Sequence, residues 1–276
     1  FVNMKNESTL CIIGGYDSLS KSYFYQLKKK YKSVLFINLQ DKIFHDNNLH
    51  NFKIYQLKSI LSLLKENNVK EIIFLGKLKR PNLAEFKTDG VIDKYIPTFI
   101  ESYKKGDGAV LNNVIQIFKE HNFRAVSPFK YCDEFSLRNI SINGEYEKDD
   151  IVDIQKSNNL LNVLSKFDNA QSVVCVNGYI IAIEAAEGTD DLLNRVFRLR
   201  KNLNQLDKKS GFLVKKPKKY QSKLVDLPVI GPKTIKLIRK ANLKGLALDQ
   251  SNTMIYKRDH VLKLIKQFKL KIYNVI

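Results

Sequence analysis

The sequence is poor in the residues that build metal centres and nucleophilic triads. Its three cysteines, Cys11, Cys132 and Cys175, are odd in number, far apart and without CxxC spacing. That argues against a disulfide framework or a zinc site and for a reducing compartment. Cys11 and Cys175 sit in apolar runs and read as buried core thiols. His45, His50, His121 and His260 form no ligand pattern, and neither a Ser-His nor a Cys-His arrangement can be argued. No run of about 18 uninterrupted apolar residues exists, so nothing is expected to span a membrane. The chain opens at Phe1, has its first Met at position 4 and shows no secretory signal, which makes a soluble cytoplasmic protein the expectation. Internal repeats and low-complexity tracts are also missing.

Arginine is scarce as well: only eight of the 47 basic residues, against 28 acidic ones, in a chain of net charge +19. A pI near 9.6 attracts polyanions: nucleic acid, anionic lipid head groups or phosphorylated metabolites. The Lys, Asn and Ile richness is what an AT-rich genome imposes, and dedicated phosphate readers favour the planar fork of Arg. Charge alone therefore points to a generic anionic partner ahead of nucleic acid.

What is present is a globular pattern, 44% hydrophobic and 11% aromatic in 276 residues, enough for one large domain or two ordinary ones. STLCIIGGYDSL (8–19) reads as a buried strand ending in Gly14-Gly15, followed by a helix to about 31. SVLFINL (33–39) and EIIFLG (71–76) are further strands, with a helix over roughly 56–67 between them. Strand, helix, strand, helix, strand is the signature of a parallel sheet flanked by helices. A helix over 109–122 and the pair Ala125-Val126 complete an N-terminal α/β domain, 1–135. The polar stretch 136–150 is expected to be a linker. A C-terminal mixed α/β domain, 151–276, then holds a helix at about 151–166 and a hairpin over 172–186 that turns at Asn177-Gly178. Helices near 189–202, 232–241 and 258–267 alternate there with strands at 211–217 and 243–249.

Chemistry concentrates in a few stretches. EAAEGTDD (184–191) puts Glu184, Glu187, Asp190 and Asp191 between a strand end and a helix start. Gly188-Thr189 offers backbone N–H groups suited to a phosphate, and the carboxylates are hard ligands suited to Mg²⁺. The structural alternative is that Thr189 caps the helix while Asp190 and Asp191 favour its positive end. GFLVKKPKKYQ (211–221) carries Lys215, Lys216, Lys218 and Lys219 and ends in Gln221, a basic loop able to hold a diphosphate or merely solvated. Asp226 precedes the IGP turn, where Gly231 gives backbone freedom and Pro232 suits the first turn of a helix. GKLKRP (76–81) ends a strand with Lys77, Lys79 and Arg80, placed for an anion beyond a carboxyl end. GGYD is neither a full GxGxxG nor a Walker A, and Asp107 in GDGAVL (106–111) stands at a capping or ligand position.

In order, IIGG, GKLKRP, GDGAVL, IEAAEGTD, GFLVKKPKKYQ and VDLPVIGPKT resemble the LpxI-type UDP-2,3-diacylglucosamine diphosphatases of bacterial lipid A biosynthesis, from about residue 8 to 260. The resemblance implies Mg²⁺-dependent hydrolysis of a pyrophosphate bond, releasing UMP and 2,3-diacylglucosamine 1-phosphate. It also implies two domains that close around the substrate and a catalytic aspartate at the VDLP position, Asp226. Gly108 stands where the family has an acid, and two glycines stand where its first turn has three. On that basis Glu187, Asp190 and Asp226 are expected at a metal, with Asp226 and Glu187 catalytic. Gly14, Gly15, Lys79, Arg80, Gly188, Thr189, Lys215, Lys216 and Gln221 are expected to bind substrate. An acylated substrate implies work near the cytoplasmic face of the inner membrane, with peripheral, salt-sensitive attachment.

Two other readings remain at this level. One is a nucleic-acid clamp using 228–242 as a hairpin, disfavoured by Val229 where such hairpins have glycine, by a strand rather than a helix before it, and by the acidic cluster beside a motif that occurs once. The other is a nucleotide-sugar-binding protein without catalysis.

Overall fold

The computed structural model describes residues 8–78, 87, 89–138, 140, 147–218 and 222–275. These divide into two compact units. The N-terminal unit holds the chain to Cys132 together with Ser222–Asp226; the C-terminal unit holds Asp133–Gln221 and Leu227 onward.

In the N-terminal unit the order is β1 (Thr9–Gly14), α1 (Ser18–Lys30), β2 (Val34–Asn38), β3 (Leu49–Asn51), α2 (Leu57–Glu66), β4 (Val69–Phe74), α3 (Ile96–Lys105), α4 (Asp107–Glu120) and β5 (Arg124–Ala125). The sheet runs β3-β2-β1-β4-β5 and every pair is parallel. Every residue of β1 and β2 is buried, as expected for parallel strands covered on both faces. Cys11, Ile13, Leu35 and Ile37 pack with Leu57, Ile60, Leu61 and Leu64 of α2 and with Phe99, Ile117 and Phe118 of α3 and α4. Asp17 caps α1, accepting from the N–H groups of Leu19 and Ser20 at 3.0 Å each.

The C-terminal unit runs α5 (Lys148–Leu164), β6 (Ser172–Val176), β7 (Tyr179–Ile183), α6 (Thr189–Asn202), β8 (Phe212–Lys215), β9 (Val229–Ile230), α7 (Pro232–Lys240), β10 (Gly245–Leu248), β11 (Met254–Ile255), α8 (Arg258–Gln267) and β12 (Lys271–Asn274). Its five-stranded sheet is mixed, β12-β10-β8-β6-β7, with the first three strands parallel and the last two pairings antiparallel. The α/β character and the parallel-then-mixed contrast agree with the sequence. Alternation along the strands splits the core. Val174, Leu213, Leu246 and Ile272 face α6, α7 and α8, while Val173, Val214, Ala247 and Tyr273 face α5.

The hairpin turns where expected, with Asn177 and Gly178 at φ 50° and 79°, and Asp153 accepts from both turn N–H groups, at 3.1 and 2.6 Å. The same carboxylate accepts from Cys175 at 3.2 Å, and burial pushes that thiol up to about 12. One expectation needs correction. Gly231 lies at φ −147°, ordinary extended backbone, as the residue just before α7; its freedom is not used, whereas Pro232 does open the helix.

A second buried device belongs to α5. Asp150, at its first turn, accepts from Lys244 at 2.7 Å and Lys271 at 2.8 Å, with its side chain 2% exposed. The exposed Glu147 bridges the same two ammonium groups at 2.8 and 2.9 Å. Those hydrogen bonds, first from Lys244 and then from Lys271, lower the Glu147 carboxyl to about 2.

Candidate functional site

Gly14 and Gly15 lie at the carboxyl end of β1 and Lys77 just beyond that of β4, the point where strand order reverses and open sheets usually bind ligands. Here the two strand ends are in direct backbone contact. A Cβ on Gly15 would meet the Lys77 carbonyl, and one on Gly76 (φ 102°) would meet the Gly15 carbonyl. Asp17 accepts from the Lys77 N–H at 2.8 Å, which places a carboxylate at this point. The geometry thus gives Gly15, with Gly14 beside it, a close-approach role. Lys79, Arg80 and Gln221 lie outside the described residues. Asp107 is the first residue of α4, with Gly106 before it at φ 111°.

In the C-terminal unit, four side chains converge where the parallel strands end. Register pairs Ser172 at the start of β6 with Lys215 at the end of β8. The Lys215 ammonium, in a residue 4% exposed, donates to Thr189 Oγ1 at 2.5 Å and Ser172 Oγ at 3.3 Å, and lies 3.8 Å from Glu184. Thr189 in turn donates to Glu184 Oε2 at 3.1 Å. This charge is buried and paired rather than solvated, as burial of a cation requires. Thr189 is the first residue of α6, with Gly188 (φ 80°) before it. Its hydroxyl therefore serves the Lys215 cluster and makes no side-chain cap, contrary to the capping alternative. A buried ammonium, its charge matched by Glu184, beside the N-terminus of a 14-residue helix concentrates hydrogen-bond donors at this corner.

Lys216 is also buried and points to the α5 side, donating to Asn158 Oδ1 and, at 2.7 Å, to Asn162 Oδ1. Lys218 is held by Asp168 at 2.9 Å. The sequence offered a signal for the Lys216 seat, two asparagines four apart on one helix. Nothing local marked Ser172, which is joined to Lys215 only by strand register.

Each acidic candidate has its own partners. Glu187 accepts from the Ala185 N–H at 3.0 Å and pairs with Arg195 at 2.8 Å, while Arg195 also donates to the Ile183 carbonyl. The hydrogen bond from its own backbone N–H, followed by that from Arg195, holds the Glu187 carboxyl below the usual range against the opposing effect of burial. Asp190 accepts from Thr234 at 2.9 Å and pairs with Lys233 at 3.2 Å, which ties the start of α6 to the start of α7. Among the described residues no group of three or more His, Cys, Asp or Glu side chains is placed to hold a metal ion.

Asp226 follows a turn in which Val225 donates its N–H to the Ser222 carbonyl. It is exposed between two buried anchors, Val225 and Leu227, and its backbone is left-handed at φ 50°. Aspartate is among the non-glycine residues that take this conformation most readily, as Asp168 also does. Beyond it, Val229–Ile230 form a strand paired in parallel with Met254–Ile255. The IGP turn is therefore a strand-to-helix turn, and the helix that a DNA-binding hairpin needs before it is a strand.

Two family models match the chain: the LpxI N-terminal domain over residues 9–135 and the LpxI C-terminal domain over residues 139–273. A curated relative, the UDP-2,3-diacylglucosamine pyrophosphatase LpxI of Caulobacter vibrioides, is 27% identical over 228 residues, which cover 80% of each chain.

Proposed function

The chain belongs to the LpxI family, and from that premise we propose that it hydrolyses the pyrophosphate bond of UDP-2,3-diacylglucosamine in lipid A biosynthesis. The products are UMP and 2,3-diacylglucosamine 1-phosphate. The observation that carries this reading is the match of both family domains along nearly the whole chain, with a relative whose name states that activity.

Attack of water on a diphosphate is limited by charge, because the phosphoryl oxygens repel the incoming oxygen. The Lys215 ammonium and the N–H groups at Gly188 and Thr189 lie in one corner and offer hydrogen-bond donors to a phosphoryl group, the ammonium positioned by Ser172 and Thr189 and its charge matched by Glu184. Asp226, an exposed residue between two buried neighbours, is the group assigned to orient the water or accept its proton.

Mg²⁺ is part of the proposal on donor chemistry. Carboxylate oxygens suit it, and when bound it would neutralise phosphoryl charge. The arrangement described fits less well, since the oxygens of Glu187 and Asp190 are engaged by Arg195, Thr234 and Lys233. The reading also includes peripheral attachment to the inner face of the membrane that holds the acylated substrate. Among the described residues, no helix is long and apolar enough to cross a membrane.

The test is incubation with UDP-diacylglucosamine, with and without Mg²⁺, and detection of UMP. Asp226→Ala and Glu187→Ala are expected to lose most of the rate. Near-wild-type rates in both would sink the residue assignment, and failure to form UMP under either condition would leave a nucleotide-sugar-binding protein.

A further inference from the structure

We propose that the surface formed by α1 and the 41–47 loop in the N-terminal unit docks on an anionic lipid bilayer, with Ile43 as its inserted tip. This rests on the reading of a membrane-held substrate and assigns it a surface.

The loop is braced on both sides of Ile43. Asn38 donates to the Lys42 carbonyl at 2.8 Å, while Asn51 accepts from the Phe44 N–H at 3.1 Å and donates to its carbonyl at 2.8 Å. The Phe44 ring packs edge-on to Tyr16 at 4.9 Å. Asp46 accepts from Tyr16, Tyr25 and Lys28, which fastens the loop along α1. Ile43, 65% exposed, is thus held outward by a pinned backbone rather than by a slack loop. Among the described residues of this unit the exposed large hydrophobic side chains are Tyr25, Ile43 and Ile100, so two of the three lie here.

The surrounding charge decides the occupant. Lys21, Lys28 and Lys42 lie over the rings of Tyr16, Tyr25, Phe24 and Phe44 at 5.0–6.0 Å, and Lys29 of α1 and Lys32 just beyond it are exposed. Against them stand three carboxylates: Asp46 paired with Lys28, Asp41 paired with Lys53, and Asp17, which caps α1. A protruding aliphatic tip, tyrosine at its rim and an excess of lysine match the acyl boundary, the interface and the headgroups of an anionic membrane. Nucleic acid would use the lysines and rings but gains nothing from an exposed Ile.

The experiment is sedimentation of the full chain with sucrose-loaded vesicles of phosphatidylcholine and phosphatidylglycerol, 3:1. Binding is expected at low salt, to weaken as salt screens the lysines, and to be lost on pure phosphatidylcholine. Ile43→Ser should weaken partitioning about tenfold, because the exposed part of the Ile side chain no longer gains from burial among acyl chains. Lys21→Glu with Lys42→Glu should weaken it by at least about tenfold. Phe167→Ser, which removes an exposed ring in the C-terminal unit, should leave binding unchanged. Wild-type-like binding by Ile43→Ser, loss of binding by Phe167→Ser, or equal binding to the uncharged vesicles would each overturn the proposal. So would an oligonucleotide complex abolished by the double lysine variant in a chain that ignores vesicles. Hydrolysis of substrate in detergent micelles should be unaffected by Ile43→Ser. A wild-type chain that binds vesicles yet forms no UMP would defeat the enzymatic reading and leave the docking surface standing.

Discussion

Removing both lysines that face Asp150 should cost more than the two single losses combined, by about 1 kcal/mol. The carboxylate is 2% exposed and 2.7–2.8 Å from Lys244 and Lys271, while Tyr273 adds a hydroxyl at 3.4 Å. With Lys244→Met alone, Lys271 still pairs the acid. The loss is then one charge-assisted hydrogen bond, about 1–2 kcal/mol. The same holds for Lys271→Met. With both replaced, a buried charge keeps only the tyrosine hydroxyl, and breaking a buried pair outright costs about 3–5 kcal/mol. A neutral side chain of the same shape should relieve most of this, so Asp150→Asn in the double background is expected to recover more than half of the loss. The two units need not unfold together, so the suitable measurement is native-state hydrogen exchange of the amides in β10 and β12, which the lysines flank. A double variant whose loss equals the sum of the singles within about 0.5 kcal/mol would refute the reasoning, because the sites would then be independent.

Three other outcomes follow from the same geometry. Glu147 has a folded carboxyl lowered to about 2, so its contribution to stability is present above its unfolded value of 4.5 and lost as pH falls through that window; Glu147→Gln should flatten the acid limb of a pH–stability profile between about 4.5 and 2. Gly76→Ala should destabilise the N-terminal unit by about 2–4 kcal/mol, read from its urea midpoint, because the new methyl meets the Gly15 carbonyl in a left-handed backbone. Lys215→Met should lower kcat for UMP release at least about tenfold, with Lys215→Arg failing to restore it, since a larger planar fork does not fit the seat made by Ser172, Thr189 and Glu184; an active methionine variant would remove Lys215 from the proposal.

The sequence is most informative where local chemistry and fold agree. Asn177-Gly178 between two apolar runs marks its hairpin because only that turn suits those residues. The solidly apolar runs of β1 and β2 announce parallel, doubly covered strands. The edge and satellite strands are not legible. β3, β9 and β11 are two or three residues long, and β12 alternates in a Lys-rich run that reads as surface. α3 is equally hard to read, since Ile96-Pro97 opens it in a stretch of mixed polarity. Burial of charge is the larger blind spot. Arg200 sits in the run Arg198-Leu199-Arg200-Lys201 and looks solvated, yet it is 1% exposed. Its guanidinium collects the carbonyls of Gln205, Lys208, Ser210, Ala241 and Asn242, a set that exists only once the chain has folded back. Lys215 and Lys216 are hidden for the same reason. The candidate acids are visible, but their attachment to Arg195, Thr234 and Lys233 is not.

Ser222–Asp226 belongs to the N-terminal unit although more than eighty residues of the C-terminal unit precede it. The two units are therefore not consecutive modules on the gene. A single crossover after Cys132 would trade the first unit of one relative for that of another, yet leave this five-residue piece, and the aspartate within it, with the old partner. A chimaera of relatives that keeps this five-residue piece with its own N-terminal unit therefore needs two exchanges, the second covering 222–226.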